Sequence, residues 1–333
     1  MQLSIIIPSR NEMFLRETVL DIVKNREAET EVIALLDGVP DDPPVPQLPN
    51  VNLIYVNKSI GQRAGANLAA KLSRAKYIMK VDAHCSFDKG FDRKMLEAFT
   101  VTGDNVTMVP TMRNLWAFDW KCKTCGKKWY QGPTPTKCKE ENYKGTETPC
   151  EGTKFERKLM WIGKERPQSN SYCFDAEPHF QYWNEYLKRP EVQKMIEEGF
   201  NETMSLQGSC FMLTREKYWE LNICGEELGN WGNQGIEIAC KTWLSGGRVL
   251  VNRKTWYAHM FRTQGGDFGF PYQLGGRDTK RTKDNVWNLF LNRKFDKQIY
   301  PISWLVERFW PIKGWKQEDL DALKAHESSL NKS

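Results

Sequence analysis

Along the first third of the chain, apolar positions switch repeatedly between runs of strand length and a helical period. Residues 3–8 form a β-branched apolar run, and Ser9, Arg10, Asn11 and Glu12 turn out of it. Leu15, Val19, Ile22 and Val23 then recur at helical spacing. A second buried strand is predicted over residues 32–36, running into Asp37-Gly38, and a third over 51–56, after a Pro-rich stretch at 41–49. Leu68 and Leu72 mark a helix of small residues. A strand over 77–81 follows and ends at Asp82. A helix through Met95, Leu96 and Phe99 and a strand over 106–109 complete the pattern. Such alternation implies an α/β fold: a Rossmann-like, mostly parallel sheet with helices on both faces. Ligands of these sheets bind outside the carboxyl ends of the strands. Pro8-Ser9-Arg10, Asp37-Gly38 and Asp82-Ala83-His84 all stand at such ends.

From about 121 to 152 the periodicity stops and Lys, Thr, Pro, Gly and Cys dominate, as in an inserted module. Beyond it, the pattern predicts a helix over 190–199, a strand over 209–213 and a helix over 235–244 stopped by Gly246-Gly247. A strand at 248–251, an amphipathic helix at 284–292 (Val286, Leu289, Phe290) and a surface helix at 317–331 follow. The expected organisation is a nucleotide-binding half (1–120), the Cys-rich insert (121–152), an acceptor-side half (153–300) and a helical extension (301–333). An apolar fraction of 40% with 13 Trp supports a real core rather than disorder. No run approaches the roughly 18 apolar residues of a membrane span. The start shows neither basic leader nor apolar signal core, so a cytoplasmic protein is expected. Nine cysteines, with Cys173, Cys210 and Cys240 in apolar surroundings, fit reduced thiols better than a disulfide framework. The net charge of +6 suits phosphate-bearing ligands but is far from that of a nucleic-acid coat.

The chemistry concentrates in two places. In Lys80-Val81-Asp82-Ala83-His84-Cys85 a carboxylate and an imidazole sit two residues apart past a strand end. That oxygen and nitrogen pair suits Mn²⁺ or Mg²⁺, whose open positions can take phosphate oxygens; a turn-capping Asp beside an unrelated His is the alternative. The second place is Cys122-Lys123-Thr124-Cys125 with Cys138 and Cys150, four thiols able to hold a structural Zn²⁺ in a ribbon-like module. Free or redox-active thiols are the alternative. Lys121, Lys123, Lys127, Lys128, Trp129, Tyr130, Lys137 and Lys139 around them suit nucleic acid or, equally, a solvated surface.

Three ordered motifs carry a family likeness. Asp82-Ala83-His84-Cys85, then Trp231-Gly232-Asn233-Gln234-Gly235-Ile236-Glu237 with Gly246-Gly247 beyond, then His259-Met260-Phe261-Arg262 resemble the GT-A glycosyltransferases of family 2. More closely, they resemble the polypeptide N-acetylgalactosaminyltransferases, and the likeness covers residues 3 to about 300 apart from the insert. It implies a GT-A fold, a UDP-sugar donor, and Asp82, His84 and His259 as ligands of the donor-site metal. By itself His259, set among aromatic residues, would read as a core histidine. The likeness also implies a donor pocket lined by Pro8, Ser9, Arg10, Glu12, Asp37, Gly61, Arg63, Asp82, Gly208, Trp231 and Arg262, Gly208 reading equally as a plain turn. The relatives' motif has Glu where this chain has Gln234, so the carboxylate base that an inverting transfer needs is missing there. Glu237 is the nearest carboxylate, set either to contact the acceptor or to brace its helix. Retention is therefore expected, with the departing diphosphate receiving the proton and Asp82, His84, Gln234 and Glu237 as the catalytic set. Hydroxymethylated pyrimidine in phage DNA is the expected acceptor, with protein Ser/Thr or an envelope glycan second. No membrane partner is expected. A different class remains beside these, a zinc-ribbon nucleic-acid-binding protein whose GT-A domain is non-catalytic.

Overall fold

The computed structural model describes residues 1–138, 150–262, 265–272 and 275–330. Lys139 and the rest of the insert up to 149 lie outside the described residues, as does the end of the extension beyond 330. The expected alternation is present: β1 (Leu3–Ser9), α1 (Leu15–Asn25), β2 (Thr30–Asp37), β3 (Val51–Val56), α2 (Gln62–Leu72) and β4 (Tyr77–Val81). Strands β1, β2 and β4 are buried along almost their whole length, as continuous apolar runs between two helical layers must be. They pair in parallel in the order β3-β2-β1-β4, with Ile6 opposite Ile33 and Ile5 opposite Met79.

The short strand β5 (Cys85–Phe87) and helix α3 (Phe91–Thr102) follow. The strand expected at 106–109 is 17 residues long as β6 (Val106–Cys122), and it crosses residue 120 without a break. It forms an antiparallel arm with β7 (Lys128–Tyr130) and β8 (Phe155–Ser169), pairing from Met112–Ser169 out to Cys122–Phe155. Small strands β9 (Tyr172–Phe174) and β10 (Phe180–Tyr182) make a separate hairpin. Then come α4 (Pro190–Glu197), β11 (Phe200–Glu202), β12 (Cys210–Thr214), α5 (Arg215–Glu220), α6 (Gln234–Leu244), β13 (Arg248–His259), α7 (Gly276–Leu291), α8 (Ile302–Phe309) and α9 (Gln317–Leu330). Strand β12 enters antiparallel between β4 and β6. Strand β13 runs parallel to β6 and antiparallel to β5.

Two apolar cores cover the sheet. One holds α1 and α3 against Ile5, Met79 and Met212; the other holds α2, α6 and α8 against Ile6, Phe211 and Val249. A third, smaller cluster of Phe14, Leu115, Phe118, Trp120, Met260 and Phe268 sits where the arm leaves the body.

Candidate active site

The pairing of β5 with β13 builds the centre. It sets His259 directly opposite Cys85, so the residue before Cys85, His84, lands beside it. The backbone seals this junction, with the N–H of Met260 donating to the His84 carbonyl at 3.2 Å. Asp82 leaves the end of β4 and is fixed by its own N–H on the Ser209 carbonyl at 2.8 Å. The His84 Nε2 and His259 Nε2 atoms lie 3.1 Å apart, and His259 Nε2 is 3.3 Å from Asp82 Oδ2. One ligand atom from each of the three residues falls within 4.8 Å of the others. Glu12 Oε2 meets His84 Nδ1 at 2.9 Å and accepts from Arg262 Nη1 at 2.7 Å. A proton on Nδ1 leaves the Nε2 lone pair of His84 facing the cluster, the usual way a carboxylate orients a metal-binding imidazole. The donor set therefore fits a divalent ion such as Mn²⁺.

Electrostatics agree with that geometry. Burial pushes the Asp82 carboxyl up, but Lys80 and the two histidines outweigh it and hold it well below the usual range. Burial likewise acts upward on Glu12, and His84 and Arg262 more than offset it. For His259 burial dominates and depresses the imidazole, so the neutral, ligating form is favoured.

A cavity of about 360 Å³ opens over this cluster. Pro8, Ser9, Arg10, Glu12, Asp82, His84, Gly208, Trp231, Gln234, His259 and Arg262, all singled out from the sequence, line it. Helix α6 comes close to the Gly208 turn because residue 235 is glycine: a Cβ there would lie 1.9 Å from the Leu206 carbonyl oxygen.

Asp37, Gly61, Arg63 and Glu237 are placed differently, outside the residues that line the cavity. Asp37 is fully buried and accepts from Ser59 Oγ (2.9 Å), Ile60 N (2.7 Å) and Gly61 N (3.0 Å). It pins the loop into α2, and Gly61 turns that loop at φ +94°. Arg63 is turned away from the donor side and onto Glu237, at 3.2 Å through Nε and 2.6 Å through Nη2. Glu237 also accepts from Lys241 Nζ (2.7 Å) and Gly225 N (3.0 Å). Arg63 and Lys241 are 1% exposed and Glu237 is 0% exposed. Of the two roles open for Glu237, bracing is the one this geometry gives. Through Arg63, which also donates to the Gly229 and Gly232 carbonyls at 3.1 and 2.8 Å, it braces the loop that carries Trp231. Gln234 is tied to Gln62 and Cys224, at 3.2 Å each.

Several lining residues were not singled out: Gln62, Lys80, Phe180, Phe261, Phe270 and Tyr272. Lys80 had a signal, a charge inside an otherwise apolar buried strand, which demands a partner. Phe261 stood inside the His259 motif without a role of its own and Phe180 lies on the three-residue β10, while Phe270 and Tyr272 had no signal, because they come from a loop without periodicity.

At the outer end of the arm, the sulfurs of Cys122, Cys125, Cys138 and Cys150 form a cluster, each within 4.8 Å of the others. Cys122 and Cys150 are 3.8 Å apart, Cys125 and Cys138 3.7 Å. The backbone N–H of Cys125 pulls the Cys122 thiol down to about 6, towards the thiolate a metal needs. The stretch between this cluster and the body reaches the cavity wall. Thr134 donates from its backbone N–H to Asp267 Oδ1 at 2.9 Å and from its hydroxyl to Oδ2 at 2.5 Å. Next to Asp267, Phe268 packs edge-on against Phe118, and Phe270 leans on Trp231 with the ring centroids 4.7 Å apart and the planes inclined by 54°.

Comparison with known proteins agrees on the type of domain. Residues 4–158 match the family described as Glycosyl transferase family 2. Putative polypeptide N-acetylgalactosaminyltransferase 13 of Drosophila melanogaster is 23% identical over 207 residues, 62% of this chain and 29% of that protein. Polypeptide N-acetylgalactosaminyltransferase 10 of Homo sapiens is 35% identical over 84 residues, 24% of this chain and 14% of that protein. A crystal structure of GalNAc-T7 with UDP, GalNAc and Mn²⁺ superposes with a TM-score of 0.62 at 15% identity, over 99% of this chain and 55% of that one. The shared fold is GT-A. The chain thus matches less than a third of the length of these curated relatives and about half of the structural one.

Proposed function

We propose, on the premise that residues 4–158 form a glycosyl transferase family 2 domain, that this chain moves a sugar from a UDP-sugar to a hydroxyl acceptor with a divalent ion held by Asp82, His84 and His259. The observation that carries the reading is the convergence of those three ligand atoms in a cavity at the carboxyl ends of β1 and β4. The ion, Mn²⁺ or Mg²⁺, supplies positive charge against the diphosphate when bound. The chain's own residues hold that arrangement: Glu12 fixes the His84 ring, Ser209 anchors Asp82, and Arg10 and Arg262 face the same space.

The carboxylates present support retention of anomeric configuration. Among the described residues lining the cavity these are Glu12 and Asp82, and both are engaged. No free base is left among them. The acceptor oxygen bonds to the sugar carbon as that carbon's bond to the diphosphate breaks, and the acceptor proton passes to the departing diphosphate. Gln234 then serves to shape the site rather than to take a proton.

For the acceptor, charge placement favours a polyanion, with hydroxymethylated pyrimidine in DNA as the preferred chemistry. Residues 121–169 contain 12 basic and six acidic side chains, so this stretch alone accounts for the whole net charge of +6. Phosphate contacts of that kind carry affinity without sequence reading. The arm would be stiffened by Zn²⁺ on Cys122, Cys125, Cys138 and Cys150, whose sulfurs fit a tetrathiolate site. A DNA acceptor would place the protein in the cytoplasm, of the host if phage-encoded. No helix among the described residues is long and apolar enough to cross a membrane. A Ser or Thr hydroxyl of a polypeptide is the second reading, favoured by the relatives being polypeptide N-acetylgalactosaminyltransferases by name.

The test incubates the protein and Mn²⁺ with a panel of UDP-sugars and either hydroxymethylpyrimidine duplex DNA or Ser/Thr peptides. Mass spectrometry of the products follows. A hexose or N-acetylhexosamine mass on the nucleoside, lost with EDTA and with Asp82→Ala, is the expected result. The same mass on peptide alone would overturn the DNA reading. Nucleic-acid binding that persists in Asp82→Ala, with no UDP release from wild type under any condition, would overturn the enzyme reading.

A further inference from the structure

Five charged side chains line the cavity: Arg10, Glu12, Lys80, Asp82 and Arg262. Their charges sum to +1, an unusual balance for a place that must attract a divalent cation. Lys80 makes the difference. It is fully buried on β4, its ammonium contacts Asp82 Oδ1, and it donates to the Gly208 carbonyl at 2.8 Å. Asp82 Oδ2, the other oxygen of the same carboxylate, faces His259. The single carboxylate of the ligand set is therefore shared with a resident cation, while Glu12 is already neutralised by Arg262.

We infer that Lys80 couples ion and nucleotide: the bare divalent ion binds weakly, and ion and diphosphate bind tightly only together. This rests on the metal-dependent reading of the site given above. Without a diphosphate, the ion enters a cavity with no net negative charge to offset its own and beside an ammonium in a poorly screened setting. A nucleoside diphosphate brings the missing charge, which Lys80, Arg10 and the ion then share. By linkage, whatever factor the diphosphate adds to ion affinity, the ion adds to diphosphate affinity. Lys80 is here a positioning and charge-balancing residue that makes free metal a poor ligand and the metal–diphosphate pair a good one.

The experiment titrates Mn²⁺ into the whole protein, with and without saturating UDP, and reads free Mn²⁺ by electron paramagnetic resonance. For wild type, UDP should tighten Mn²⁺ binding by about tenfold or more. Lys80→Met keeps the side-chain length and removes the charge. It should bind bare Mn²⁺ about tenfold more tightly and lose most of the gain from UDP. Lys80→Arg should behave as wild type. Should Lys80→Met not fold, by circular dichroism and melting, Lys80→Gln tests the same charge removal with a hydrogen bond to Gly208 retained. Bare-ion affinity unchanged or weaker in the folded neutral variant would overturn the inference while leaving the metal site intact. Absence of Mn²⁺ binding in every protein, with UDP present, would overturn the reading of the site and the inference with it.

Discussion

Glu237→Gln separates a bracing role from a catalytic one. The native carboxylate is 0% exposed and neutralises two guests, Arg63 and Lys241, that are each 1% exposed. The amide keeps the shape but leaves two buried cations facing a neutral group. Removing one partner of a buried ion network costs about 3–5 kcal/mol, because the remaining charges stay desolvated. At about 2 °C per kcal/mol for a chain of this length, the melting temperature should fall by about 6–10 °C. Differential scanning calorimetry reads that shift. Well below the melting point, kcat should stay within about threefold of wild type, and KM for the donor should rise as the Trp231 loop loosens. Replacing Arg63, Glu237 and Lys241 together with apolar side chains of similar volume should recover most of the lost stability. A variant that melts within about 2 °C of wild type yet has lost 100-fold or more in kcat would refute the bracing account and make Glu237 a reacting group.

Burial pushes Glu237 up but Lys241 and Arg63 hold it below its usual 4.5, so its stabilisation is present above that pH and lost as pH falls through the lower, folded value; acid melting curves should show this loss in wild type and much less of it in Glu237→Gln. Zinc analysis should find about one ion per chain, retained at pH 7 and released on acidification as the thiolates are protonated; Cys122→Ser should lose the ion at neutral pH. Gly235→Ala puts a methyl 1.9 Å from a backbone oxygen, so α6 must shift away from Gly208; a loss of about 1–3 kcal/mol is expected, together with weaker UDP binding by calorimetry.

The buried strands β1, β2 and β4 were legible because a strand covered on both faces is written as an unbroken apolar run. The strand-end cluster of Asp82 and His84 followed from them. His259 could be assigned only through motif likeness, since its meeting with His84 depends on the antiparallel register of β5 and β13, a pairing of residues about 170 apart that no local pattern encodes. The arm was invisible for a related reason. Strands β6 and β8 are stabilised by each other, and β8 exposes most of its side chains, so its sequence alternates too weakly to mark a strand. Arg63 and Asp37 show the limit of position-by-position transfer. Both residue types suit a nucleotide, and here both spend their polar groups on neighbouring loops.

The junction of Thr134 with Asp267 makes the insert something other than an appendage. Pro133, next to it, approaches Gly266, while Phe268 shares an apolar cluster with Phe118 and Trp120 from the arm. Excising the module would uncover that cluster and untie the segment that presents Phe270 and Tyr272 to the cavity. The arm thus also shapes the cavity wall, and a grafting experiment must move both together.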